Sequence, residues 1–154
     1  MARIVHYGDS VQPFHILVVD DDDLAILNLQ ATLSRAGHVA TVTSASSGRE
    51  ALALLRGGSL PEERLLVLTD VNMPGMSGIE LMREIRRDPA LTSLPIVILT
   101  ASALAADRSA AFALQAAGYF VKPAGHTHFR DVAQWLYTYW GESSFGPRPE
   151  PHGA

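Results

Sequence analysis

Short apolar runs alternate along the chain with segments of helical periodicity. Ile16–Val19, Leu65–Leu68, Ile96–Leu99 and Tyr119–Val121 carry no polar interruption. Such runs predict strands buried on both faces of a parallel sheet that is covered by helices. Val39–Thr43 instead alternates apolar and polar positions and predicts an edge strand. Between the runs, Ile26, Leu29, Leu33 and Ala36 recur at helical spacing, and Gly37 offers a left-handed stop. Ser47-Gly-Arg-Glu50 and Ser77-Gly-Ile-Glu80 have the form of capping boxes. The first opens a helix ending near Gly57–Gly58; the second opens one that runs through Ile85, with Pro89 just beyond. An alanine-rich stretch from Ala105 to Ala117 predicts a helix by propensity, closed by Gly118. A last helix places Phe129, Val132, Ala133, Leu136 and Trp140 on one stripe.

Strand–helix alternation with right-handed crossovers gives a doubly wound α/β sheet. Five strands at this length predict the flavodoxin-like order 2-1-3-4-5, with helices on both faces. The expected organisation is an N-terminal extension over 1–13, one domain over 14–140, and a mobile tail rich in Gly, Pro and Ser over 141–154.

The chain of 154 residues has room for one sizeable core, being 47% hydrophobic and 18% charged. A net charge of −4 argues against a general nucleic-acid binder. The absence of cysteine excludes disulfides and thiolate metal sites. No apolar run is long enough to span a bilayer, and the N-terminus lacks the form of a signal peptide. A cytoplasmic protein is expected.

In a parallel sheet the strand carboxyl ends share one edge, where ligands bind. The residues that follow the apolar runs are therefore informative. Asp20, Asp21, Asp22 and Asp23 follow the first; Thr69 and then Asp70 follow the second; Thr100 and Lys122 follow the last two. Asp22 or Asp23 suits a helix N-cap. Asp20 and Asp21 lie nearest the strand end and, with Asp70, form a carboxylate group that needs a cation to neutralise it. Oxygen-only ligands point to Mg²⁺ or Mn²⁺. Asp70 precedes a Pro74-Gly75 turn, which could be loop chemistry alone, yet a carboxylate is also a competent nucleophile toward phosphorus. Lys122, held before Pro123, can pair with Asp70 and then with phosphoryl oxygens as a point charge. The small residues Ala101 and Ser102 leave space beside Thr100. His126 and His128 at a helix start read as surface residues.

Together these segments resemble the receiver domains of bacterial two-component response regulators. The resemblance is carried by Ile16-Leu-Val-Val-Asp-Asp21, Leu66-Val-Leu-Thr-Asp-Val-Asn-Met-Pro-Gly-Met-Ser-Gly78, Pro95-Ile-Val-Ile-Leu-Thr-Ala-Ser102 and Gly118-Tyr-Phe-Val-Lys-Pro123. It implies Asp70 as phosphoacceptor from the phosphohistidine of a sensor histidine kinase. It implies Mg²⁺ (or Mn²⁺) held by Asp20, Asp21, Asp70 and the carbonyl of Asn72. Thr100, the Ala101 amide and Lys122 would bind the phosphoryl group, and Tyr119 would swing inward on activation. Asn72 and Ser102 would tune hydrolysis, and Ser77 stands where many members carry Asp. The Gly57–Arg64 loop and the Trp135–Trp140 ending resemble, more narrowly, single-domain regulators of bacterial phytochrome histidine kinases, with no attached output domain expected. Val132, Trp135 and Tyr139 form a second apolar stripe that either caps the core or forms a homodimer interface. No membrane or nucleic-acid partner is expected.

Two enzyme or cofactor classes compete. A hydrolase with an aspartyl-phosphate intermediate would want a second carboxylate where Asn72 stands. A flavin protein would want a phosphate-cradling loop where four Asp residues would repel phosphate. A degenerate receiver that only docks is a third reading, weakened because all the chemical groups are present.

Overall fold

A computed structural model describes residues 13–35, 40–61, 63–122 and 129–141. The elements follow the order β1 (Phe14–Val19), α1 (Asp23–Arg35), β2 (Ala40–Ala45), α2 (Gly48–Arg56), β3 (Leu65–Thr69), α3 (Gly78–Arg87), β4 (Ile96–Thr100), α4 (Ala105–Ala113), β5 (Gly118–Val121) and α5 (Phe129–Leu136). A single π-helical turn, Tyr137–Gly141, continues α5. The five strands form one parallel sheet in the order β2-β1-β3-β4-β5, the expected flavodoxin-like arrangement.

The alternation of side chains along β1 divides the core into two layers. Phe14, Ile16 and Val18 pack with Ile26, Leu29 and Leu33 of α1 and with Val132, Ala133 and Leu136 of α5. Leu17 and Val19 face the other way, toward Leu52 and Leu55 of α2 and Leu81, Met82 and Ile85 of α3. Every residue of β1, β3 and β4 is buried. That explains why these three runs are apolar without alternation.

Several local expectations need correction. β5 is the free edge of the sheet, only half-buried, and Val121 is 41% exposed, because a terminal strand has a neighbour on one side only. Ser77 and Glu80 form a full capping box. At α2, Ser47 caps Glu50 N–H, but the Glu50 carboxylate reaches one residue further back, to the N–H and hydroxyl of Ser46. The alanine-rich helix stops at Ala113, because the chain turns through a left-handed Gln115 (φ 62°), and Gly118 opens β5 instead of closing α4. The Gly37 stop, Val39, Pro123, His126, His128, the extension up to residue 12 and the tail from residue 142 lie outside the described residues. Among the described residues no helix is long and apolar enough to cross a membrane.

Candidate functional site

The site lies on the last rung of the sheet. Asp20 N–H donates to Ala45 O at 3.1 Å, Asp70 N–H to Val19 O at 2.9 Å, and Lys122 N–H to Thr100 O at 2.6 Å. Each residue therefore extends the strand pairing by one step beyond the regular strand, which places its side chain at the carboxyl edge. Asp20 is 5% exposed and Asp70 9%. The Lys122 ammonium donates to Asp20 Oδ2 at 2.6 Å and to Asp70 Oδ2 at 3.2 Å. The remaining carboxylate oxygens are held by the backbone: Asp20 Oδ1 accepts from Asp22 N–H, and Asp70 Oδ1 from Val71 N–H at 2.7 Å.

Beneath these groups is a cavity of about 10 Å³, lined by Val18, Ala25, Leu29, Leu68 and Leu99 as well as the charged residues. It has room for roughly one water. The apolar floor disfavours charge. Burial raises the Asp20 carboxyl above its ordinary value, against the opposing hydrogen bonds from Lys122 and the Asp22 amide. Burial alone would lower the Lys122 ammonium, but the Asp20 hydrogen bond and the charges of Asp70 and Asp20 outweigh it and raise its pKa. The lysine is thus a firm cation among carboxylates.

Asp20, Asp21 and Asp70 each bring one carboxylate oxygen within 4.8 Å of the others, with Asp21 exposed. Three carboxylates against one ammonium leave an excess of negative charge. Hard oxygen donors with an open, solvent-facing side fit a magnesium-like cation that keeps several waters. Asp22 settles the cap of α1: its Oδ1 accepts from Leu24 N–H at 3.0 Å.

The other predicted residues surround this group. Asn72 is exposed, two positions beyond Asp70. Thr100 is fully buried, and its hydroxyl oxygen accepts from Ser102 N–H at 3.2 Å. Ala101, between them, is exposed. Tyr119 donates its hydroxyl to Ser102 O at 2.9 Å, and Arg108 lies over its ring. The second stripe divides. Val132 is 5% exposed and belongs to the core, so it is withdrawn as a surface contact. Trp135 packs edge-on against Phe120 and stacks on Tyr139, a residue that is 52% exposed.

Sequence reasoning missed three things. One is that the nearer partner of Lys122 is Asp20. The second is Asp107, whose carboxylate accepts from the Ser102 hydroxyl at 2.5 Å. The third is Gly78, where a Cβ would lie 1.9 Å from Asp70 O. The signal for Gly78 was available: glycine is a poor residue for the first position of a helix whose cap is otherwise well formed.

Comparisons with known proteins identify the family. "Probable methanogenesis regulatory protein FilR2" of Methanothrix harundinacea is 27% identical over 146 residues, 92% of each chain. Among solved structures, the phosphorylated cyanobacterial phytochrome response regulator RcpA superposes with a TM-score of 0.76 at 26% identity, covering 90% of this chain and 100% of that one. The Mn²⁺-bound form of response regulator Rcp1 also gives 0.76 at 26% identity, over 88% and 99%. The response regulator receiver domain model matches residues 16–134, and the chain belongs to that family, a signalling module of two-component systems.

Proposed function

We propose that this chain accepts a phosphoryl group on Asp70 from the phosphohistidine of a partner histidine kinase. The observation that carries the reading is the Lys122 ammonium held between Asp20 and Asp70, with Asp21 alongside, at the carboxyl edge of the sheet. An Asp70 carboxylate oxygen attacks phosphorus in line. The P–N bond breaks and its electron pair leaves on the imidazole. Lys122 passes from the carboxylates to the phosphoryl oxygens, so it neutralises charge before and after transfer. Magnesium or manganese, held by Asp20, Asp21, Asp70 and the Asn72 carbonyl, would neutralise the remaining phosphoryl charge. The Thr100 hydroxyl and the Ala101 amide bind the other phosphoryl oxygens. Thr100 then gives up the Ser102 amide, and Tyr119, tied to Ser102, turns inward. The surface of α4, β5 and α5 is remodelled, which is a two-state response to a local charge. No turnover of a separate substrate is proposed beyond self-phosphorylation and autodephosphorylation.

The implied setting is cytoplasmic, with a bacterial phytochrome kinase as partner. The likeness to a phytochrome response regulator and the aromatic ending support that partner. Trp135 and Tyr139 carry a proposed homodimer through the last helix and the tail. Light scattering should show a dimer that Tyr139→Asp weakens at least tenfold, the order expected for a central aromatic; a strict monomer at high concentration rejects it.

The test of the main reading is phosphoryl uptake from acetyl phosphate with Mg²⁺, read by intact mass. Metal-dependent uptake that vanishes in Asp70→Asn is expected. A folded wild type that takes up nothing would leave only a docking module.

A further inference from the structure

β3 reads Leu65-Leu66-Val67-Leu68-Thr69, and all five residues are buried. Four are aliphatic, as a strand covered on both faces requires. Thr69, 1% exposed, departs from that rule where valine would fill nearly the same volume. A buried hydroxyl is costly unless it is hydrogen-bonded, so its partner is informative. Thr69 Oγ1 donates to the carbonyl oxygen of Asp70 at 2.9 Å.

That carbonyl belongs to the peptide whose N–H, on Val71, donates to Asp70 Oδ1 at 2.7 Å. A peptide unit is planar, so its two ends turn together. Fixing the carbonyl fixes the direction of the N–H, and the N–H holds the carboxylate. The flanking groups are pinned by backbone: Asp70 N–H donates to Val19 O at 2.9 Å, and Gly78 N–H to Val71 O at 2.8 Å. Among the described residues, Thr69 is the hydrogen-bond donor that Asp70 O has. With Oδ1 taken by the amide, Oδ2 is the oxygen turned to the Lys122 ammonium at 3.2 Å. Strand alternation places the Thr69 side chain with Leu65 and Val67 on the α2–α3 side, opposite Leu66 and Leu68. The hydroxyl thus acts on the peptide and not on the phosphoryl group.

We propose that Thr69 is a positioning residue: through the Asp70–Val71 peptide its hydroxyl sets the rotation of the Asp70 carboxylate, so that Oδ2 faces the incoming phosphorus. The inference rests on the phosphoryl-acceptor reading of Asp70. In-line attack is sensitive to the orientation of the nucleophile, whereas the phosphoryl oxygens of the donor are held by Lys122 and Thr100. Losing the Thr69 hydroxyl should therefore slow transfer without weakening the hold on the donor.

The test is the rate of phosphoryl uptake by the full chain over a range of acetyl phosphate concentrations with Mg²⁺, read by intact mass. Wild type, Thr69→Val, Thr69→Ser and Thr69→Cys are compared. Thr69→Val should lower the maximal rate about three- to tenfold, the range of one hydrogen bond, and leave the half-saturating concentration unchanged. Thr69→Ser, which keeps the hydroxyl, should stay near wild type. A wild-type rate in Thr69→Val, even with lowered stability, overturns the proposal. So does a loss confined to the half-saturating concentration, or a Thr69→Ser as slow as Thr69→Val, which would assign the effect to the methyl. If Thr69→Val does not fold, Thr69→Cys replaces it, since a thiol is a weaker donor; it should be slower than Thr69→Ser, and equal rates overturn the proposal. Hydrogen exchange of the Val71 amide without phosphodonor reads the pin directly. Faster exchange in Thr69→Val than in Thr69→Ser is expected, and equal exchange overturns it. Failure of the wild type itself to take up phosphoryl overturns the reading of the site, and the role of Thr69 with it, before any variant is compared.

Discussion

Gly78 offers a demanding test of how the fold fixes the phosphoacceptor, because replacing one hydrogen by a methyl forces a collision with backbone. A Cβ at 78 would stand 1.9 Å from Asp70 O, 2.8 Å from its carbonyl carbon and 3.0 Å from Val71 Cα. Carbon and carbonyl oxygen in contact stand about 3.3 Å apart, so the loop after β3 must open by about 1.4 Å. That opening lengthens the buried hydrogen bond from Gly78 N–H to Val71 O, now 2.8 Å. Overpacking costs about 1–3 kcal/mol, and a weakened buried hydrogen bond adds about 1 kcal/mol. Alanine's better helix propensity returns less than about 1 kcal/mol at the start of α3. Gly78→Ala should therefore be destabilised by about 2–3 kcal/mol, which corresponds to a fall in Tm of roughly 8–12 °C for a domain of this size. Urea and thermal unfolding measure the loss; uptake from acetyl phosphate measures the displacement of Asp70. The control is Gly75→Ala, three residues earlier in the same loop. Its φ of +77° is strained for alanine, but nothing lies within 4 Å of the added carbon. It should lose only about 1–2 kcal/mol and keep its phosphoryl uptake. Gly78→Ala with wild-type stability, or with a large stability loss and unchanged uptake, would refute the reasoning.

Lys122→Met leaves the buried Asp20 and Asp70 carboxylates facing each other without a cation, and should cost about 3 kcal/mol. Mg²⁺ should raise the Tm of this variant more than that of wild type, and raise Asp20→Asn less; equal metal shifts in all three by scanning fluorimetry would contradict the charge argument. His15, buried on β1 with its ring nitrogens against the Thr41 and Thr43 hydroxyls, has its pKa lowered by burial. Its neutral form is the folded one, so its contribution is complete above the unfolded value of about 6.5 and is lost as pH falls through the lowered folded value. The stability of wild type should fall more steeply between pH 7 and 5 than that of His15→Gln; parallel curves would reject this. Gly48→Ala should cost about 1–3 kcal/mol, because its Cβ would meet Met76 Cγ and Sδ at 2.9 Å and Met76 Cβ, which is fixed to the backbone, at 3.1 Å, and urea midpoints decide it.

The sheet was legible because β1, β3 and β4 are buried on both faces and so carry apolar runs without polar interruption. The site was legible for a related reason: parallel strands collect their carboxyl ends, so reading the residue after each run lists Asp20, Asp70 and Lys122. What stayed hidden depends on distances that no local spacing encodes. In the sheet β5 is separated from β1 by β3 and β4, so the short contact from Lys122 to Asp20 depends on sheet twist and side-chain length. The Ser102–Asp107 contact spans five positions, outside any capping pattern. The run at Tyr119–Val121 reads as a strand buried on both faces because apolar content is equally served by a half-buried edge with aromatic cover from Trp135. Propensity extended α4 too far, since alanine favours helix up to the point where the chain must turn back into β5.

The ladder that carries Asp20, Asp70 and Lys122 past the ends of their strands also ranks how firmly each is held. Asp20 and Asp70 ride on strands paired on both sides; Lys122 rides on an edge. Local opening draws first on elements with few buried contacts, so β5 should fray while the centre of the sheet stays closed. The member that departs is then the cation, and the carboxylates left behind form an acidic cleft at its most negative. The site should thus draw in positive charge most strongly during its own brief openings, so that fraying of the sheet becomes a route for ion exchange at its edge.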